Sequence, residues 1–477
     1  MASVEQRIHD ATMELLSTTG VRFHHPDARE ILKSHGIALD GEVARFTEDQ
    51  LMEWVGKAPE TVKVAAMDPR FSVEFGDGKT YLGPAAGPVS VVEADGTRRA
   101  STFDDYVKTF KLFEVNDRFS VNGGAPVYPE GVDPAQEPIL GEYAHFMMSN
   151  KTNFARAGSY AQVEAIVAVL AAAFGCSKEA LADEVRSFNV CNVNSPLQLD
   201  DNMTETLLTY AKYRMPVAVT SAAMAGSTAP VTAEGTIAQV NAEVLAVIAL
   251  AQMAAPGLGV LYGSQSASAD MKTLSIAIGS PESALCYRWA ARMADFYHIP
   301  CRAGGVLSDA KKLDAQSGFE SLLTYLACKQ SKVALMLQGA GVLNSYLDFS
   351  FEKAVCDFEI IDFVDKYLAD IDPNEDTVPI ETMESVGQDG SYVLEDHTLE
   401  NYHEALLAPV LAVRGVGDAN AFEQRAAKRV GELLGSYRAP ERDPEQVSAM
   451  RAAAIEGGVD AAVLDMLDSK INSEKEE

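Results

Sequence analysis

Short apolar segments rich in β-branched residues alternate with helical segments between residues 102 and 368 of this 477-residue chain. The strand-like segments are FSVNGG, NFARAGS, SFNVCNVN, PVAVTSAA, LGVLYGS, PCRAGG and KVALMLQGAG. Helical patterns are predicted at residues 104–113, 141–149, 161–174, 203–213, 234–253, 281–297, 314–329 and 351–368. A strand that returns to its sheet through a helix makes a right-handed crossover, so this alternation predicts a parallel sheet.

Seven or eight such units predict a (β/α)8 barrel, because eight of them close the sheet on itself. An open doubly wound sheet alternates in the same way but usually carries a glycine-rich phosphate turn after its first strand. The nearest approach to that turn, Gly339-Ala340-Gly341, lacks the third glycine and comes late in the chain. We therefore predict three parts: a helical extension with a small β element at residues 1–100, the barrel core at 101–370, and a helical segment packing on the barrel at 371–477.

The chain is strongly acidic, with a formal net charge of −30 at pH 7. Such a charge repels nucleic acid and anionic lipid, and the basic clusters Arg98-Arg99 and Lys311-Lys312 are only pairs. No apolar run reaches the roughly 20 residues that span a bilayer, and the N-terminal segment is not a secretory signal. We expect a cytoplasmic homo-oligomer that binds neither nucleic acid nor membrane.

Local motifs for metal binding or nucleophilic catalysis are missing from the sequence. The eight histidines form no HxxxH, HxH or HExxH pattern, and the six cysteines form no CxxC pair. There is also no GxSxG nucleophile turn. The sequence therefore predicts no protein-bound metal.

Polar side chains follow the predicted strands, at the end of a barrel where active sites form. Gly, Asn and Ser are also common turn residues, which is a sufficient explanation for any one of these loops. It explains less well why the same polar composition recurs after several strands. The richest polar cluster lies in GGVLSDAKKLDAQSGFE, where Asp314 is equally well explained as a helix N-cap. This cluster contains Ser308, Asp309, Lys311, Asp314, Gln316 and Glu320.

The region from Pro216 to Glu320 resembles the trimethylamine methyltransferase family of corrinoid-dependent methyltransferases. The resemblance is carried by segments in the same order and phase as in the family: Ala225-Gly226-Ser227-Thr228-Ala229-Pro230-Val231-Thr232, Asn241-Ala242-Glu243, Tyr262-Gly263-Ser264, Ala269-Asp270-Met271, and Asp309-Ala310-Lys311 with Asp314, Gln316, Gly318 and Glu320. Gly263-Ser264-Gln265-Ser266 departs from the Gly-Asn-Ser-Thr-Ser form expected in the family. Substrate choice is therefore expected to differ from that of better-known relatives.

The resemblance implies a (β/α)8 barrel that presents a methylated amine to the Co(I) corrinoid of a separate corrinoid protein. Members acting on trimethylamine use pyrrolysine, whereas relatives without it demethylate quaternary amines such as glycine betaine, carnitine or proline betaine. This sequence contains only the twenty ordinary residues. A quaternary ammonium that loses a methyl group leaves as a neutral tertiary amine, so no acid is needed to protonate it. Orientation in a desolvated pocket can then supply most of the catalysis, and the nucleophile is the Co(I) of the partner's corrinoid.

The same resemblance identifies the loops expected to form the site. We expect a catalytic set at the barrel mouth, consisting of Asp309, Lys311, Asp314 and Gln316. Tyr262 and Tyr346 are candidates for an aromatic cage around the ammonium group. Further substrate contacts are predicted at Asn192, Asn194, Ser264, Ser266, Asn344 and Glu320.

Two other functions remain open from the sequence. The barrel could capture a betaine without transferring its methyl group, in which case the cobalt state would not change. The chain could also be a corrinoid- or folate-linked methyltransferase that uses a different methyl donor.

Overall fold

The computed structural model describes residues 2–415 and 421–472, and its centre is an eight-stranded sheet in which every pairing is parallel. The eighth strand pairs with the first through Leu335 and Tyr81, and a bridge between Leu82 and Phe119 joins the first strand to the start of the second. The sheet is therefore closed, and the predicted (β/α)8 barrel is confirmed. In chain order, strands β1 to β8 are Tyr81–Leu82, Val121–Gly123, Thr152–Phe154, Ser187–Val193, Val217–Ser221, Val260–Ser264, Cys301–Ala303 and Leu335–Met336.

Each barrel strand is followed by a helix that packs on the outside of the sheet. Seven of the eight helices begin after a Ser, Thr or Asp residue whose side chain accepts a hydrogen bond from a backbone N–H of the first turn, which satisfies an otherwise unpaired donor. Helices α1 to α8 are Phe103–Glu114, Glu137–Met148, Tyr160–Ala173, Asp201–Lys212, Ala233–Ala254, Pro281–Phe296, Ala315–Gln330 and Phe351–Tyr367.

The barrel begins earlier than the sequence predicted. Its first strand, Tyr81–Leu82, lies before residue 101, within the region expected to form the N-terminal extension. Two residues cannot display a strand period, so the pattern gave no means of separating this strand from the neighbouring short β segments. The division of the chain into three domains stays a prediction.

The residues before the barrel cover its outer wall and its lower end. Helices Val4–Thr18, Pro26–Ser34 and Glu48–Val55 pack on α5, together with a small sheet of Val21–Phe23, Ala38–Asp40, Val43–Arg45 and Gln198–Leu199. A hairpin of Val62–Val64 and Val73–Phe75 packs against the inward-facing residues Phe188, Ala218, Leu261 and Leu335. The hairpin therefore closes the amino-terminal end of the barrel. Short 3-10 helices lie at Pro69–Phe71 and Glu179–Ala182.

Two small sheets build up the opposite end, where the strands terminate. One contains Ser90–Val92, Arg98–Ala100, Val342–Leu343 and Asp348–Phe349, and it joins the loops after β1 and β8. The other contains Met224–Ala225, Ala267–Ala269 and Ile276–Ala277, and it joins the loops after β5 and β6. These sheets form the walls around the mouth of the barrel.

The C-terminal segment contains the helices Ile380–Val386, Asp396–Ala405, Phe422–Ser436, Pro444–Glu456 and Ala461–Asn472. The last three pack on α1, α2, α3 and α8, whereas the first two bury none of their side chains. Within the described ranges, only α5 is long and apolar enough to cross a membrane, and 89% of its apolar window is buried inside the fold.

Candidate functional site

A cavity of about 330 Å³ opens at the carboxyl-terminal end of the barrel strands. Its side chains come mainly from positions that face the barrel axis, because residues alternate between the inner and outer faces of each strand. The cavity is polar at several points but has two aromatic walls. Its lining comprises Ala86, Gly87, Phe154, Ala155, Arg156, Ala157, Asn189, Val190, Asn192, Ala222, Gln265, Arg302, Leu337, Gln338 and Tyr346.

Arg302 brings a positive charge into this cavity from the middle of β7. The residue is only 5% exposed, and its Nη1 donates to Oε1 of Gln265 at 2.8 Å. Its Nε has no hydrogen-bond partner, and across the described residues its guanidinium makes no ion pair. Burial lowers the pKa of Arg302, yet a guanidinium stays protonated under ordinary conditions. Arg302 is therefore a buried cation with spare donor capacity directed at the cavity.

Gln265 connects Arg302 to the aromatic wall. Its Nε2 donates to the carbonyl of Gly304 at 3.1 Å and to the hydroxyl of Tyr346 at 2.8 Å. Burial raises the pKa of Tyr346 to about 12, so the hydroxyl stays neutral. Tyr346 has a positive φ of 74°, an unusual conformation for a side chain of this size. The loop after β8 thus holds this ring in place at a conformational cost.

The other charged group in the cavity, Arg156, is already paired. Its Nε lies 3.1 Å from Oε2 of Glu137, and its Nη2 donates to the hydroxyl of Tyr128. Phe154 forms a wall beside it and stacks on Phe188, with ring centroids 5.5 Å apart. The charge of Arg156 is therefore locally neutralised, while that of Arg302 is not.

Of the twelve predicted site residues, Asn192 and Tyr346 line the cavity. Asn192 lies on the inward face of β4, and Tyr346 lies in the loop after β8. The remaining ten lie in the surrounding loops or behind the barrel wall. The roles assigned to all twelve stay predictions.

Asp309 and Glu320 bind loops to one another rather than facing the cavity. Asp309 accepts hydrogen bonds from the backbone N–H groups of Ile278 and Gly279 at 2.9 and 2.8 Å and from the Ser345 hydroxyl at 2.6 Å. Glu320 accepts from the Ser308 hydroxyl at 2.7 Å and from the backbone N–H of Asp309 at 2.8 Å. Burial raises the pKa of Asp309, against these hydrogen bonds. The pair braces the loops after β6, β7 and β8.

The other members of the predicted catalytic set lie at the surface. Asp314 is the N-cap of α7 in a reciprocal capping box with Ser317, as the alternative explanation from sequence proposed. Gln316 is exposed and donates to Oε1 of Glu320 at 2.8 Å. Lys311 is exposed and donates to Oδ1 of Asn344.

Three predicted contacts on or just after β6 face away from the cavity. Tyr262 is fully buried against helices and donates to Oδ1 of Asn241 at 3.0 Å. Ser264 and Ser266 bond to backbone N–H groups, of Ser266 and Ala223 respectively. Asn194 is exposed in the loop after β4, where its Oδ1 accepts from the backbone N–H of Asp200 at 3.3 Å.

Sequence reasoning missed Arg302, Gln265, Gln338 and Arg156. The sequence did contain a signal for Arg302, which lies between Cys301 and Ala303 in a predicted buried strand. Arginine is almost never fully buried unless it is paired, so an arginine at such a position indicates a binding partner. Gln338 follows a predicted strand but was not assigned to the site, and its side-chain amide bonds twice to the backbone of Ala86, at 3.0 and 2.8 Å. No group of three or more His, Cys, Asp or Glu side chains suited to a metal ion occurs in the part of the chain that the structure describes.

The fold and the cavity together define a (β/α)8-barrel protein with a cavity of small-molecule size at the carboxyl ends of its strands. The profile of the trimethylamine methyltransferase (MTTB) family matches residues 2–456. The chain therefore belongs to the trimethylamine methyltransferase family.

Characterised relatives are similar over nearly the whole chain. Glycine betaine methyltransferase of Desulfitobacterium hafniense strain Y51 is 32% identical over 458 residues, which cover 95% of each chain. L-Carnitine:corrinoid methyltransferase of Eubacterium limosum is 26% identical, covering 92% of this chain and 93% of the relative. The solved monomethylamine methyltransferase of Methanosarcina barkeri covers 96% of this chain, with 10% identity and a TM-score of 0.49.

Proposed function

We propose that this protein transfers a methyl group from a carboxylate-bearing quaternary amine to the reduced corrinoid of a separate protein. The glycine betaine and L-carnitine enzymes among its relatives support this proposal. The Co(I) corrinoid supplies the nucleophile and accepts the methyl group. The chain itself binds the amine, orients it and excludes water.

The observation that carries the proposal is the unpaired guanidinium of Arg302 in the cavity. A buried charge without a counter-charge is costly, so this site favours a ligand that brings an anion. A carboxylate can take two parallel hydrogen bonds from a guanidinium, which also fixes the direction of the ligand. A betaine meets this requirement, whereas trimethylamine and choline lack the carboxylate.

The ammonium end of such a ligand would lie against the aromatic walls. Phe154 and Tyr346 both line the cavity, and aromatic faces attract cations when water is excluded. Loss of a methyl group turns the quaternary ammonium into a neutral tertiary amine. The leaving group therefore needs no proton from the protein, and orientation supplies the chain's part of catalysis.

The test is a comparison of amines with the purified protein and Co(I)-reduced cobalamin or a corrinoid protein. Absorbance of the methylated corrinoid would be followed with glycine betaine, L-carnitine, γ-butyrobetaine, proline betaine, choline and trimethylamine. We expect a response from one or more carboxylate-bearing amines only. Equal rates with choline or trimethylamine would contradict the role of Arg302, and silence with every amine and a competent acceptor would contradict the function.

A substitution of Arg302 tests the contribution of its guanidinium to binding of the amine. Arg302→Met should raise the KM for the responding betaine at least about thirtyfold, since breaking one side of a buried charged pair costs about 2–5 kcal/mol. The matched control is Arg288→Met, an exposed arginine at the opposite end of the barrel, which should leave the KM unchanged. An unchanged KM in Arg302→Met would remove the carboxylate contact from the proposal.

In this proposal, Asn192 and Tyr346 line the cavity, and the other residues predicted from sequence support the surrounding loops and walls. The cytoplasmic location and the homo-oligomeric state remain predictions.

A further inference from the structure

Two basic pairs that are more than two hundred residues apart in sequence meet beside the barrel mouth. Arg98 and Arg99 lie on a strand in the loop after β1, and Lys311 and Lys312 lie in the loop after β7. In a chain of net charge −30, such a concentration of basic groups is unusual. The clustering indicates a candidate binding surface for an acidic group at this end of the molecule.

A short chain of contacts holds the pairs together. Nε of Arg98 lies 2.7 Å from Oδ1 of Asp348, whose Oδ2 accepts from Nδ2 of Asn344 at 2.7 Å. Oδ1 of Asn344 in turn accepts from the ammonium group of Lys311. The two pairs therefore form one surface, built on the buried carboxylate of Asp348.

Positive groups face solvent on this surface while most of their partners lie beneath it. The side chain of Arg98 is 52% exposed, against 1% for Asp348. Arg99 is 37% exposed over Asp105, which is 2% exposed, and its other partner Glu93 is the exposed carboxylate of the group.

Lys312 adds a further exposed positive charge to this surface. It is exposed and takes part in no hydrogen bond or ion pair across the described residues. The aliphatic part of its side chain packs next to Gly96, in the loop that carries Arg98. Its ammonium group is therefore available to an acidic partner.

Two exposed apolar side chains complete the surface. Val89 is 50% exposed and Leu347 is 52% exposed, and the backbone N–H of Val89 donates to the carbonyl of Leu347 at 3.2 Å. Leu347 directly follows Tyr346, which lines the cavity. The basic and apolar surface therefore adjoins the opening through which a methyl acceptor must reach the ligand.

We propose that Val89, Leu347, Arg98, Lys311 and Lys312 form the docking surface for an acidic face of the corrinoid protein. This inference rests on the proposed function, which requires a protein-borne acceptor at the mouth. A cavity of about 330 Å³ suits a small amine, so the corrinoid meets the ligand from outside it. Complementary charge steers such an encounter and offsets the repulsion between this acidic chain and an acidic face of its partner.

The experiment compares two methyl acceptors: free Co(I)-cobalamin, and a recombinant corrinoid protein that the unsubstituted chain methylates. The variant is Lys312→Glu. The matched control is Lys332→Glu, which makes the same charge change at an exposed lysine near the amino-terminal end of the barrel. Rates are measured at low ionic strength and again with 0.5 M NaCl.

Lys312→Glu is expected to raise the KM for the corrinoid protein about tenfold at low ionic strength, with kcat unchanged, because a rim charge acts mainly on association. Salt should shrink this effect, since exposed charges are screened over a few ångströms at high ionic strength. The rate with free cobalamin should stay at the unsubstituted value. Lys332→Glu should match the unsubstituted chain with both acceptors.

Three outcomes would overturn the docking surface: an unchanged KM in Lys312→Glu, an equal rise in Lys332→Glu, or an equal loss with free cobalamin. The last would assign Lys312 to the corrinoid itself rather than to its protein. If the unsubstituted chain methylates neither acceptor with any amine, the proposed function fails and the docking surface fails with it.

Discussion

At the scale of single residues, Asp309 connects three loops through one carboxylate. Its oxygens accept from two backbone N–H groups of the loop after β6 and from Ser345 in the loop after β8. Replacing the carboxylate with an amide would place an NH2 group, which is a donor, opposite groups that also donate. These contacts predict that Asp309 stabilises the loops at the mouth of the barrel.

Asp309→Asn is therefore expected to lower the free energy of unfolding by about 1–3 kcal/mol, the cost of leaving partly buried donors unsatisfied. Thermal and denaturant unfolding would measure the change. Asp295→Asn, an exposed position near the other end of the barrel, should have little effect. An unchanged stability combined with lost methyl transfer would return Asp309 to direct contact with the ligand.

A second residue of the predicted catalytic set has a testable structural role. Asp314 caps α7 by accepting from the backbone N–H of Ser317 at 3.1 Å. Asp314→Ala should cost about 1 kcal/mol of stability, whereas Asp314→Ser should retain most of it, because serine is also a good N-cap. Melting temperatures and the KM for the amine would be measured in both variants. A raised KM at unchanged stability would contradict the capping role.

Of the residues that the sequence predicted for the site, Asn192 and Tyr346 line the cavity, whereas Tyr262 on β6 points away from it. On β6, Leu261 faces the barrel interior, Gln265 further along lines the cavity, and Tyr262 packs outward. Barrel strands are buried on both faces and read as continuous apolar runs, so no alternation of polar and apolar residues reveals which face is inward. An error of one position in such a strand exchanges the cavity face for the helix face.

At the scale of elements, helix α2 shows an unusual polar face toward the barrel wall. Glu142 is 1% exposed, and its Oε1 accepts from Nδ2 of Asn153 at 2.5 Å. Its second oxygen and both ring nitrogens of His145 have no hydrogen-bond partner in the described structure. Burial raises the pKa of Glu142 from 4.5 to about 8 and lowers the pKa of His145 to about 3. Both groups are therefore neutral near pH 7.

This arrangement predicts a pH dependence of stability. Between pH 4.5 and 8 the folded chain holds a proton on Glu142 that the unfolded chain releases, so this group's contribution to stability falls as pH rises through that window. Glu142→Gln should remove the dependence, and its stability relative to the unsubstituted chain should increase from pH 5 to pH 8. Denaturant unfolding across this range measures it, with exposed Glu400→Gln as the control. A parallel pH profile in the two proteins would contradict burial of a protonated Glu142.

The order of barrel elements was largely readable from the sequence. All eight helices were predicted close to their observed positions, because their apolar periods and capping residues agree. Seven strands were also predicted, whereas Tyr81–Leu82 was not assigned to the barrel. Its place depends on pairing with Leu335–Met336, a contact between opposite ends of the barrel sequence that local pattern does not encode.

At the scale of the whole molecule, apolar exposure is concentrated in one segment. Residues 371–413 contain twelve of the large hydrophobic side chains that are exposed among the described residues, from Ile371 to Val413. The helices Ile380–Val386 and Asp396–Ala405 bury none of their side chains in the single chain. Extended apolar exposure of this kind is typical of surfaces covered by another protein.

In the predicted homo-oligomer, residues 371–413 would be covered by a second copy of the chain. Sedimentation velocity of the purified protein should show a dimer or larger species, and Leu394→Glu, at a side chain that is 82% exposed, should shift it toward the monomer. Leu274→Glu, near the mouth and 63% exposed, is the matched control and should leave the distribution unchanged. A monomeric unsubstituted protein would contradict the prediction.

The separation of the cavity lining from the contacts that brace the mouth loops has an evolutionary consequence. Positions that line the cavity, such as Gln265 and Arg302, are separate from those that brace the loops, such as Asp309 and Glu320. Under the proposed function, substitutions in the first set would change which amine is accepted without disrupting the contacts of the second. A lineage built on this barrel can therefore drift between donors in small steps, each of which leaves a folded protein for selection to act on.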